Sequence, residues 1–515
     1  MTAGPAIDAV RPAVRRAAAA PGLWLSAACL VVHLVANGHY GLFRDELYFI
    51  VCGLHPAFGY VDQPPLIPLI AAASYKLFGT ALTPLRFVPA LAAATAVALA
   101  ADLARRLGGG RFAETLAGLC VLTAPTLMTF GVLLDTHCLQ PLTWLACAWI
   151  LTRRIDSGDE RWWLALGAVA GVSLESYDLI ALFLIGLAVG VVATPLRRSL
   201  AQPWIYLGAV LGLALAAPNL VWQAQHNWPF LRVVSGNLRL SLVQTPLAML
   251  VQQVLFVGPC TAPVWLAGLW RLAARPPRPE LRALAIACVV VAAVVVWLHG
   301  RAYYVAPIYP ILFAAGGVAW ETWLRRPAAR WVAATLVAVF GIRAAPTALP
   351  ILPPATLDAY MQATHSSVVE NQFGYFGLGE LPPIFANMLG WRELAAAVAA
   401  VYRALPADER AQAVFFAENY GEAAAVELYG QPLGGPPTIS GSMSYYLWGP
   451  GGASGDVLIA LGRGAPDFPD AYDDIRAAGR TDAAFAEPFE TGLTIWVLRR
   501  PRAPLAAIWP LLKRF

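Results

Sequence analysis

The sequence predicts a polytopic α-helical membrane protein with about eleven spans and a C-terminal extracytoplasmic α/β domain. Of its 515 residues, 58% are hydrophobic and 13% are charged, whereas a soluble domain carries about 25% charged residues. Long apolar stretches, such as residues 283–297, alternate with short clusters of arginine. After Pro350 the pattern changes to short helix and strand segments separated by loops rich in glycine and proline.

About 20 consecutive apolar residues are needed to cross a bilayer as a helix, and this length identifies the spans. The first span follows Arg11, Arg15 and Arg16. We interpret it as retained, because no small-residue cleavage site follows it. The predicted spans are centred near Cys29, Thr95, Val121, Ala146, Ala168, Ile185, Val210, Leu255, Val290, Leu312 and Ala338.

Arginine is concentrated at the N-terminus and in every second connection between spans. Cytoplasmic loops carry an excess of Lys and Arg, so this alternation orients the chain. It predicts a multi-pass protein of the cell (inner or plasma) membrane, with a cytoplasmic N-terminus and an extracytoplasmic C-terminal part. The arginines of these connections are Arg105, Arg106 and Arg111; Arg153, Arg154 and Arg161; Arg197 and Arg198; Arg271, Arg275, Arg278 and Arg282; and Arg325, Arg326 and Arg330.

The connections on the opposite face carry most of the other ionisable groups that precede Pro350. We therefore expect the reaction to take place on that face. A second domain is predicted from 351 to 515, following a transmembrane domain from 1 to 350 whose first external loop, 38–80, carries the catalytic groups. In the second domain, Trp391 to Ala404 has an amphipathic helical pattern. The segments read as strands are Ala413 to Phe416, Val457 to Leu461 and Thr494 to Leu498.

The adjacent carboxylates Asp45 and Glu46 are the sharpest chemical signal in the chain. A carboxylate at the membrane surface can act as a general base or bind a divalent cation. Taken alone, the pair is also compatible with a solvated loop in which Arg44 and Glu46 form an ion pair.

Two sequence blocks favour a chemical role for Asp45 and Glu46 over the solvated loop. They are Arg44-Asp45-Glu46-Leu47-Tyr48, and Gly59 to Leu66, which reads GYVDQPPL. Together they closely resemble the first external loop of bacterial proteins in glycosyltransferase family 39, which includes protein O-mannosyltransferases and lipid A aminoarabinose transferases. The resemblance continues along nearly the whole chain. Its other elements are Pro218 to Pro229, Tyr303 to Pro310, Glu418 to Glu422 and Tyr446 to Pro450.

The resemblance implies a GT-C type fold, a polyprenyl-phosphate sugar donor and inversion at the anomeric carbon, with Asp45 at the position of the general base. Many relatives have a lysine that is thought to hold the lipid phosphate, at the position occupied here by Tyr177. Arg301 is the expected substitute, because its guanidinium fork suits phosphate. A surface arginine near the lipid headgroups is the alternative for Arg301.

Further substrate contacts are expected from Asp62, Asp135, Glu175, His226 and Tyr304. Two alternatives stay open for Asp135: contact with sugar, acceptor or metal, and a cap at the start of the fourth span. His226 lies between Trp222 and Trp228, and these groups either line an entrance or anchor the membrane interface. For Tyr304 the alternative is an interfacial aromatic belt, which is favoured over a catalytic role.

A membrane glycosyltransferase, either hexosyl- or pentosyltransferase, is therefore the predicted function. A divalent metal on Asp45 and Asp135 is one option, and no nucleotide cofactor is expected, because the chain has no Gly-rich phosphate loop. The expected partners are the donor, the bilayer and an unknown acceptor; no nucleic acid is expected. The alternatives are a transporter or flippase of a lipid-linked sugar, and a non-catalytic scaffold for envelope assembly.

Overall fold

A computed structural model describes residues 21–241, 245–366, 380–463 and 471–515, and for 237–241 it describes the backbone only. Arg11, Arg15 and Arg16 of the predicted cytoplasmic N-terminus lie outside the described residues. The helices of the first half are α1 (Pro21–Ala36), α2 (Arg44–Leu54), α3 (Leu66–Phe78), α4 (Leu82–Leu85), α5 (Phe87–Arg106), α6 (Arg111–Thr123), α7 (Pro125–Phe130), α8 (Gln140–Ser157), α9 (Trp162–Leu174), α10 (Ile180–Ala193), α11 (Pro203–Gln225), α12 (Pro229–Ser241) and α13 (Pro246–Val257).

The second half of the chain adds further helices and all the described strands. The helices are α14 (Ala262–Ala274), α15 (Arg282–Trp297), α16 (Tyr309–Trp323), α17 (Pro327–Ala348), α18 (Pro354–Thr364), α19 (Pro383–Ala386), α20 (Trp391–Ala404), α21 (Ala407–Arg410), α22 (Tyr420–Ala425), α23 (Met443–Trp448) and α24 (Leu505–Ile508). The strands are β1 (Ala413–Ala417), β2 (Thr438–Ser440), β3 (Val457–Gly462), β4 (Tyr472–Arg480) and β5 (Thr494–Pro501). Short 3₁₀ helices cover Pro195–Ala201, Pro279–Leu281, Ala302–Ile308, Gln431–Leu433 and Trp509–Leu512, and a π-helical turn covers Val426–Gly430.

The chain divides into two compact units, each built from separate stretches of sequence. Unit 1 comprises Met1–Asn37, Arg86–Leu220 and Asn237–Leu349. Unit 2 comprises Gly38–Leu85, Val221–Gly236 and Pro350–Phe515. The stretch from Gly38 to Leu85, which contains the predicted catalytic loop, is therefore grouped with the C-terminal part of the chain. The functional domain division at residue 350 stays a prediction.

Unit 1 is a bundle of apolar helices whose core is dominated by alanine, leucine and valine. Small residues let the helix backbones approach closely. Such close packing helps helices associate in a bilayer, where the hydrophobic effect does not drive them together. A helix covers each of the eleven predicted span centres, but the count of eleven is not confirmed. In the described residues, six helices are long and apolar enough to cross a membrane, or up to eight if two bent pairs each count as one span.

Fewer candidate spans are found than the eleven predicted, because some helices are short and others are bent. Helices α1 and α9 are apolar but short, with 16 and 13 residues. The bent pairs are α10 with the 3₁₀ helix Pro195–Ala201, at 97°, and α13 with α14, at 110°. One of the six long helical stretches, Pro383–Ala404, lies in unit 2, where α20 packs on β4.

Unit 2 contains a five-stranded sheet, in the order β2-β1-β3-β5-β4, within its described residues. Strand β1 is parallel to β2 and β3, and β5 is antiparallel to both β3 and β4. The three predicted strands correspond to β1, β3 and β5, and the predicted helix from Trp391 to Ala404 is α20. Strands β1 and β3 are buried along their whole length, as expected of central strands with continuous apolar sequence.

The sequence interpretation missed β2 and β4. Strand β2 has only three residues. Strand β4 reads YDDIRAAGR and is mostly exposed, because it forms one edge of the sheet. Charged side chains are common on edge strands, where they discourage pairing with other molecules, and they remove the alternating apolar pattern.

Candidate functional site

Asp45 lies in the first turn of α2, which begins at Arg44. Its Oδ1 atom accepts a hydrogen bond of 2.7 Å from the Tyr420 hydroxyl and lies 3.5 Å from the Arg44 Nε. Burial raises the pKa of Tyr420 well above its usual value, so this hydroxyl keeps its proton and donates. The Asp45 side chain remains 31% exposed. The arrangement holds the carboxylate through one oxygen and leaves it open to a ligand.

The segment Asn419-Tyr420-Gly421-Glu422 positions that hydroxyl. Asn419 is the N-cap of α22, and its side chain accepts from the backbone N–H groups of Gly421 and Glu422 at 2.9 and 3.0 Å. A Cβ on Gly421 would lie 2.4 Å from Cγ of Arg44. Glycine at this position therefore lets the Arg44 side chain pass, and the guanidinium carbon lies 5.3 Å from the centre of the Tyr420 ring.

Arg44 also interacts with a buried acidic group, Glu490. Glu490 attracts the guanidinium electrostatically, and its Oε1 accepts from the Asn419 amide at 3.0 Å. Burial raises the pKa of both Glu422 and Glu490, and the charge of Glu490 adds to the shift of Glu422. The pair therefore favours a shared proton over two charges.

Asp62 belongs to the same unit and to a second hydrogen-bonded chain. Its Oδ1 accepts from the Tyr48 hydroxyl at 3.0 Å, and that hydroxyl lies 2.8 Å from Oγ of Ser444. Burial, with a smaller contribution from the Asp45 charge, raises the pKa of Asp62 to about 7. Asp45 and Asp62 are thus electrostatically coupled, and near neutral pH Asp62 can hold a proton.

Glu46, the second predicted catalytic carboxylate, is fully buried. Its Oε2 accepts the backbone N–H of Phe43 at 2.9 Å, which is a helix-capping contact. The ion pair of this segment is Arg44 with Asp45, rather than Arg44 with Glu46. A catalytic role for Glu46 stays a prediction.

Unit 1 holds a second cluster, centred on His137. Nδ1 of His137 lies 3.1 Å from Oδ2 of Asp135, and Oδ1 of Asp135 accepts the His137 backbone N–H at 3.0 Å. Tyr177, Tyr303 and Tyr304 surround the imidazole, with ring centres at 4.8, 5.2 and 5.9 Å. Asp135 does not cap the next helix, which begins at Gln140 after Leu139.

Arg301 joins this cluster through Tyr303, to whose hydroxyl its Nη1 donates at 2.7 Å. Glu175 follows α9, and its Oε1 is buried without a hydrogen-bond partner in the described part of the chain. Burial, aided by the charge of Asp178, raises the pKa of Glu175 to about 7. The structure therefore brings Asp135, Tyr177, Tyr304 and Arg301 into one tyrosine-rich cluster.

His226 has a different setting. It is exposed at the end of α11, stacks on Trp222 with ring centres 4.0 Å apart, and lies 2.8 Å from the Trp222 carbonyl oxygen through Nδ1. These contacts are local. A role for His226 in substrate binding stays a prediction.

Sequence reasoning did not assign Tyr420, Tyr48 or His137 to the site. Tyr48 and Tyr420 lie inside Arg44 to Tyr48 and Glu418 to Glu422, two of the segments that carry the family resemblance. His137 follows Asp135 by two positions. The contacts of all three depend on the fold.

Binding of a divalent metal by Asp45 and Asp135 stays a prediction. The described residues contain no group of three or more His, Cys, Asp or Glu side chains that could hold a metal ion. The partners of Asp45 are a tyrosine and an arginine, and that of Asp135 is a histidine. This donor set does not fit a divalent cation held by the protein alone, and the proposed reaction uses none.

Comparison with known proteins places these clusters in context. Residues 62–222 match the family model described as dolichyl-phosphate-mannose-protein mannosyltransferase. A search of curated proteins finds no sequence match.

Among solved structures, ArnT from Cupriavidus metallidurans bound to undecaprenyl phosphate aligns with a TM-score of 0.59 and 15% identity, covering 92% of this chain and 97% of that one. The apo state of ArnT aligns with a TM-score of 0.58 and 14% identity over the same shares. The oligosaccharyltransferase AglB from Archaeoglobus fulgidus aligns with a TM-score of 0.46 and 11% identity, covering 85% of this chain and 69% of that one.

The chain thus matches the mannosyltransferase family model over 62–222 and shares the fold of ArnT along nearly its whole length, which confirms the resemblance to glycosyltransferase family 39 indicated by the sequence.

Proposed function

We propose that this protein is a membrane glycosyltransferase that moves a hexose or pentose from a polyprenyl-phosphate donor to an extracytoplasmic acceptor, with inversion at the anomeric carbon. The observation that carries the proposal is the Asp45 carboxylate, which is held on Oδ1 by Tyr420 and is partly exposed. The family match over 62–222 and the ArnT-like fold support this class of reaction.

In the proposed reaction Asp45 is the general base. It accepts the proton of an acceptor hydroxyl or amine as that group forms a bond to the anomeric carbon. The bond from the anomeric carbon to the phosphate oxygen breaks on the opposite face, so the configuration inverts. The Tyr420 hydrogen bond restrains the carboxylate on one oxygen, and Oδ2 is the oxygen proposed to take the proton.

Arg301 is proposed to offset the charge that develops on the departing polyprenyl phosphate. Its Nη1 is oriented by the Tyr303 hydroxyl, and both belong to the tyrosine-rich cluster around His137. A guanidinium can bind phosphate through two parallel hydrogen bonds, which a tyrosine at position 177 cannot replace. The solved ArnT structure contains undecaprenyl phosphate, which supports a donor of this lipid class.

The test is complementation of a deletion strain with the wild-type chain or with the Asp45→Asn variant, followed by mass spectrometry of envelope glycans and polyprenyl-phosphate sugar pools. The wild-type chain should restore one glycoconjugate and lower one lipid-linked sugar. Loss of a general base costs about 10²- to 10⁴-fold in rate, so Asp45→Asn should restore almost none of the product.

The matched control is Asp408→Asn, the same change at an exposed position of unit 2. All variants are compared at equal amounts in the membrane. The proposal fails if deletion leaves every glycoconjugate and lipid-linked pool unchanged. Full restoration by Asp45→Asn would instead indicate a scaffold or a transporter that does not use this carboxylate.

A further inference from the structure

An open cavity of about 320 Å³ lies between α9, α10 and α11 in unit 1. This volume lies at the lower end of the range of sites that bind small molecules, about 300–1,000 Å³. Its walls are apolar and include Trp163, Leu187 and Ile205. Two other lining residues, Val192 and Leu213, are 62% and 58% exposed, so the cavity opens at the surface of the unit.

Close packing of two helices shapes one wall of the cavity. A Cβ on Gly167 of α9 would lie 1.9 Å from the carbonyl oxygen of Gly208 on α11. Both glycines line the cavity. Because the two backbones touch at this crossing, the two glycines add no large side chain to the cavity. Helix α10 lines another wall of the cavity.

A basic edge borders the cavity where the chain turns by 97° after α10. The 3₁₀ helix Pro195–Ala201 is fixed on one side, because Leu196 and Ser199 are buried. Its other side exposes Arg197, Arg198 and Leu200, and Leu200 also lines the cavity. Cationic and apolar groups thus meet at the mouth.

Arg161 adds a third cation at the same end of α9. It precedes the lining residue Trp163 by two positions, and its guanidinium carbon lies 5.6 Å from the centre of the Trp204 ring. The neighbouring Arg154 is neutralised by an ion pair with Glu160. Within the described part of the chain, Arg161, Arg197 and Arg198 form no ion pair with a carboxylate.

We propose that this cavity and the three arginines at its mouth, here called the basic groove, bind an anionic phospholipid. One acyl chain occupies the apolar cavity, and the phosphate lies against Arg161, Arg197 and Arg198. The arginine alternation orients this end of the helices toward the cytoplasm, where anionic lipids make the leaflet surface negative. Basic pockets between spans on that side are suited to such headgroups.

The position of the basic groove favours a bilayer phospholipid over the polyprenyl donor. Glu175 and Tyr177 follow the opposite end of α9. The 13 residues of α9 span about 20 Å, at about 1.5 Å for each residue. A donor phosphate held by the tyrosine-rich cluster would therefore be at the wrong end of this helix for the basic groove.

The test is native mass spectrometry of the purified full chain with dioleoyl-phosphatidylglycerol, dioleoyl-phosphatidylcholine or undecaprenyl phosphate at low ionic strength. Phosphatidylglycerol should bind more tightly than phosphatidylcholine, which has the same acyl chains. Each arginine near a headgroup contributes about fivefold, so the double change Arg197→Gln and Arg198→Gln should lower phosphatidylglycerol affinity by about 30-fold. Its charge control is the double change Arg325→Gln and Arg326→Gln, at exposed arginines of another connection.

A second variant tests the cavity itself. Ala209→Phe places a ring in the lining and should reduce phosphatidylglycerol binding, whereas Val210→Phe alters the next, exposed residue outside the lining and should not. Equal affinity for the two phospholipids, or unchanged selectivity after loss of Arg197 and Arg198, overturns the inference. Preferential binding of undecaprenyl phosphate that depends on these arginines also overturns it, because the groove would then belong to the carrier.

Discussion

Asp45 and Tyr420 show at the residue scale how this protein combines distant parts of its sequence. They lie 375 positions apart, yet the hydroxyl donates to the carboxylate at 2.7 Å. The sequence identified Asp45 through its adjacent charges and its resemblance to a family. Nothing in the local sequence of Tyr420 indicates this contact, because a buried tyrosine is compatible with ordinary core packing.

Replacing Tyr420 by phenylalanine should lower the rate of sugar transfer by about 10- to 100-fold, because a hydrogen bond to a charged group contributes about 1.5–3 kcal/mol. The expected loss is in kcat rather than KM, because the bond orients the base and not the donor. The measurement is transfer by the purified variant, with the donor identified by the deletion experiment. Tyr446→Phe removes the same atom from a ring that stacks on Trp509 and serves as the control. A Tyr420→Phe variant with wild-type kcat would show that this bond is not used.

The raised pKa of Asp62 predicts that the stability of the folded protein depends on pH. This pKa is raised to about 7 in the folded protein, so between pH 4 and 7 the folded state binds more protons than the unfolded state. The contribution of Asp62 to stability is therefore greatest at low pH and is lost as the pH rises through 7. The Tm of the wild-type protein in detergent should fall from pH 5 to 7.5 by more than that of Asp62→Asn. Parallel curves for the two proteins would contradict the shift, and the exposed Asp408→Asn variant should follow the wild type.

At the scale of elements, local sequence pattern predicted helices and buried strands well and failed at bends and edges. Strands β1, β3 and β5 are apolar and were found, whereas the charged edge strand β4 was not. The turn after α13 divides an apolar stretch for which the sequence predicted a single span, centred near Leu255. Helix packing is also decided at this scale, by small residues at the crossings.

Helices α14 and α16 provide a test of such a crossing. A Cβ on Gly316 of α16 would lie 2.0 Å from the carbonyl oxygen of Val264 on α14, and a backbone atom cannot rotate away. Gly316→Ala should therefore destabilise the protein by about 1–3 kcal/mol, which is the usual cost of overpacking. The measurement is the Tm in detergent. Gly236→Ala on α12 is the control, because nothing lies within 4 Å of its added Cβ; it should keep or raise the Tm. Equal Tm values for Gly316→Ala and the wild type would show that the helices can separate at no cost.

At the scale of the whole molecule, the orientation in the membrane is the least local prediction. It depends on the alternation of arginine-rich connections along the chain and not on any single residue. The division into two units adds that Gly38 to Leu85 is grouped with the sheet-containing part rather than with the helices that flank it in sequence. The number of spans is also a property of the whole molecule, because it depends on whether each bent helix pair counts as one span.

Cysteine labelling of intact cells can check the orientation. Arg326→Cys lies in an arginine-rich connection and Asp408→Cys lies in the C-terminal part, and both positions are exposed. A membrane-impermeant maleimide should label the Asp408→Cys variant directly and the Arg326→Cys variant only after permeabilisation. Six of the seven native cysteines are buried, so the background should be low. The opposite pattern would invert the topology and place the Asp45 cluster on the cytoplasmic side.

The sequence by itself determined the membrane class, the charge alternation, the central strands and the identity of Asp45 as the leading candidate base. These features are local: apolar length, charge and contiguous motifs can be seen without knowing which distant residues meet. Only the tertiary structure decided that Tyr420 holds Asp45, that Tyr48 links Asp62 to Ser444, and that His137 is the centre of the tyrosine-rich cluster. Such contacts join residues that are far apart in sequence or that meet only across helix ends, and their geometry depends on packing rather than on spacing along the chain.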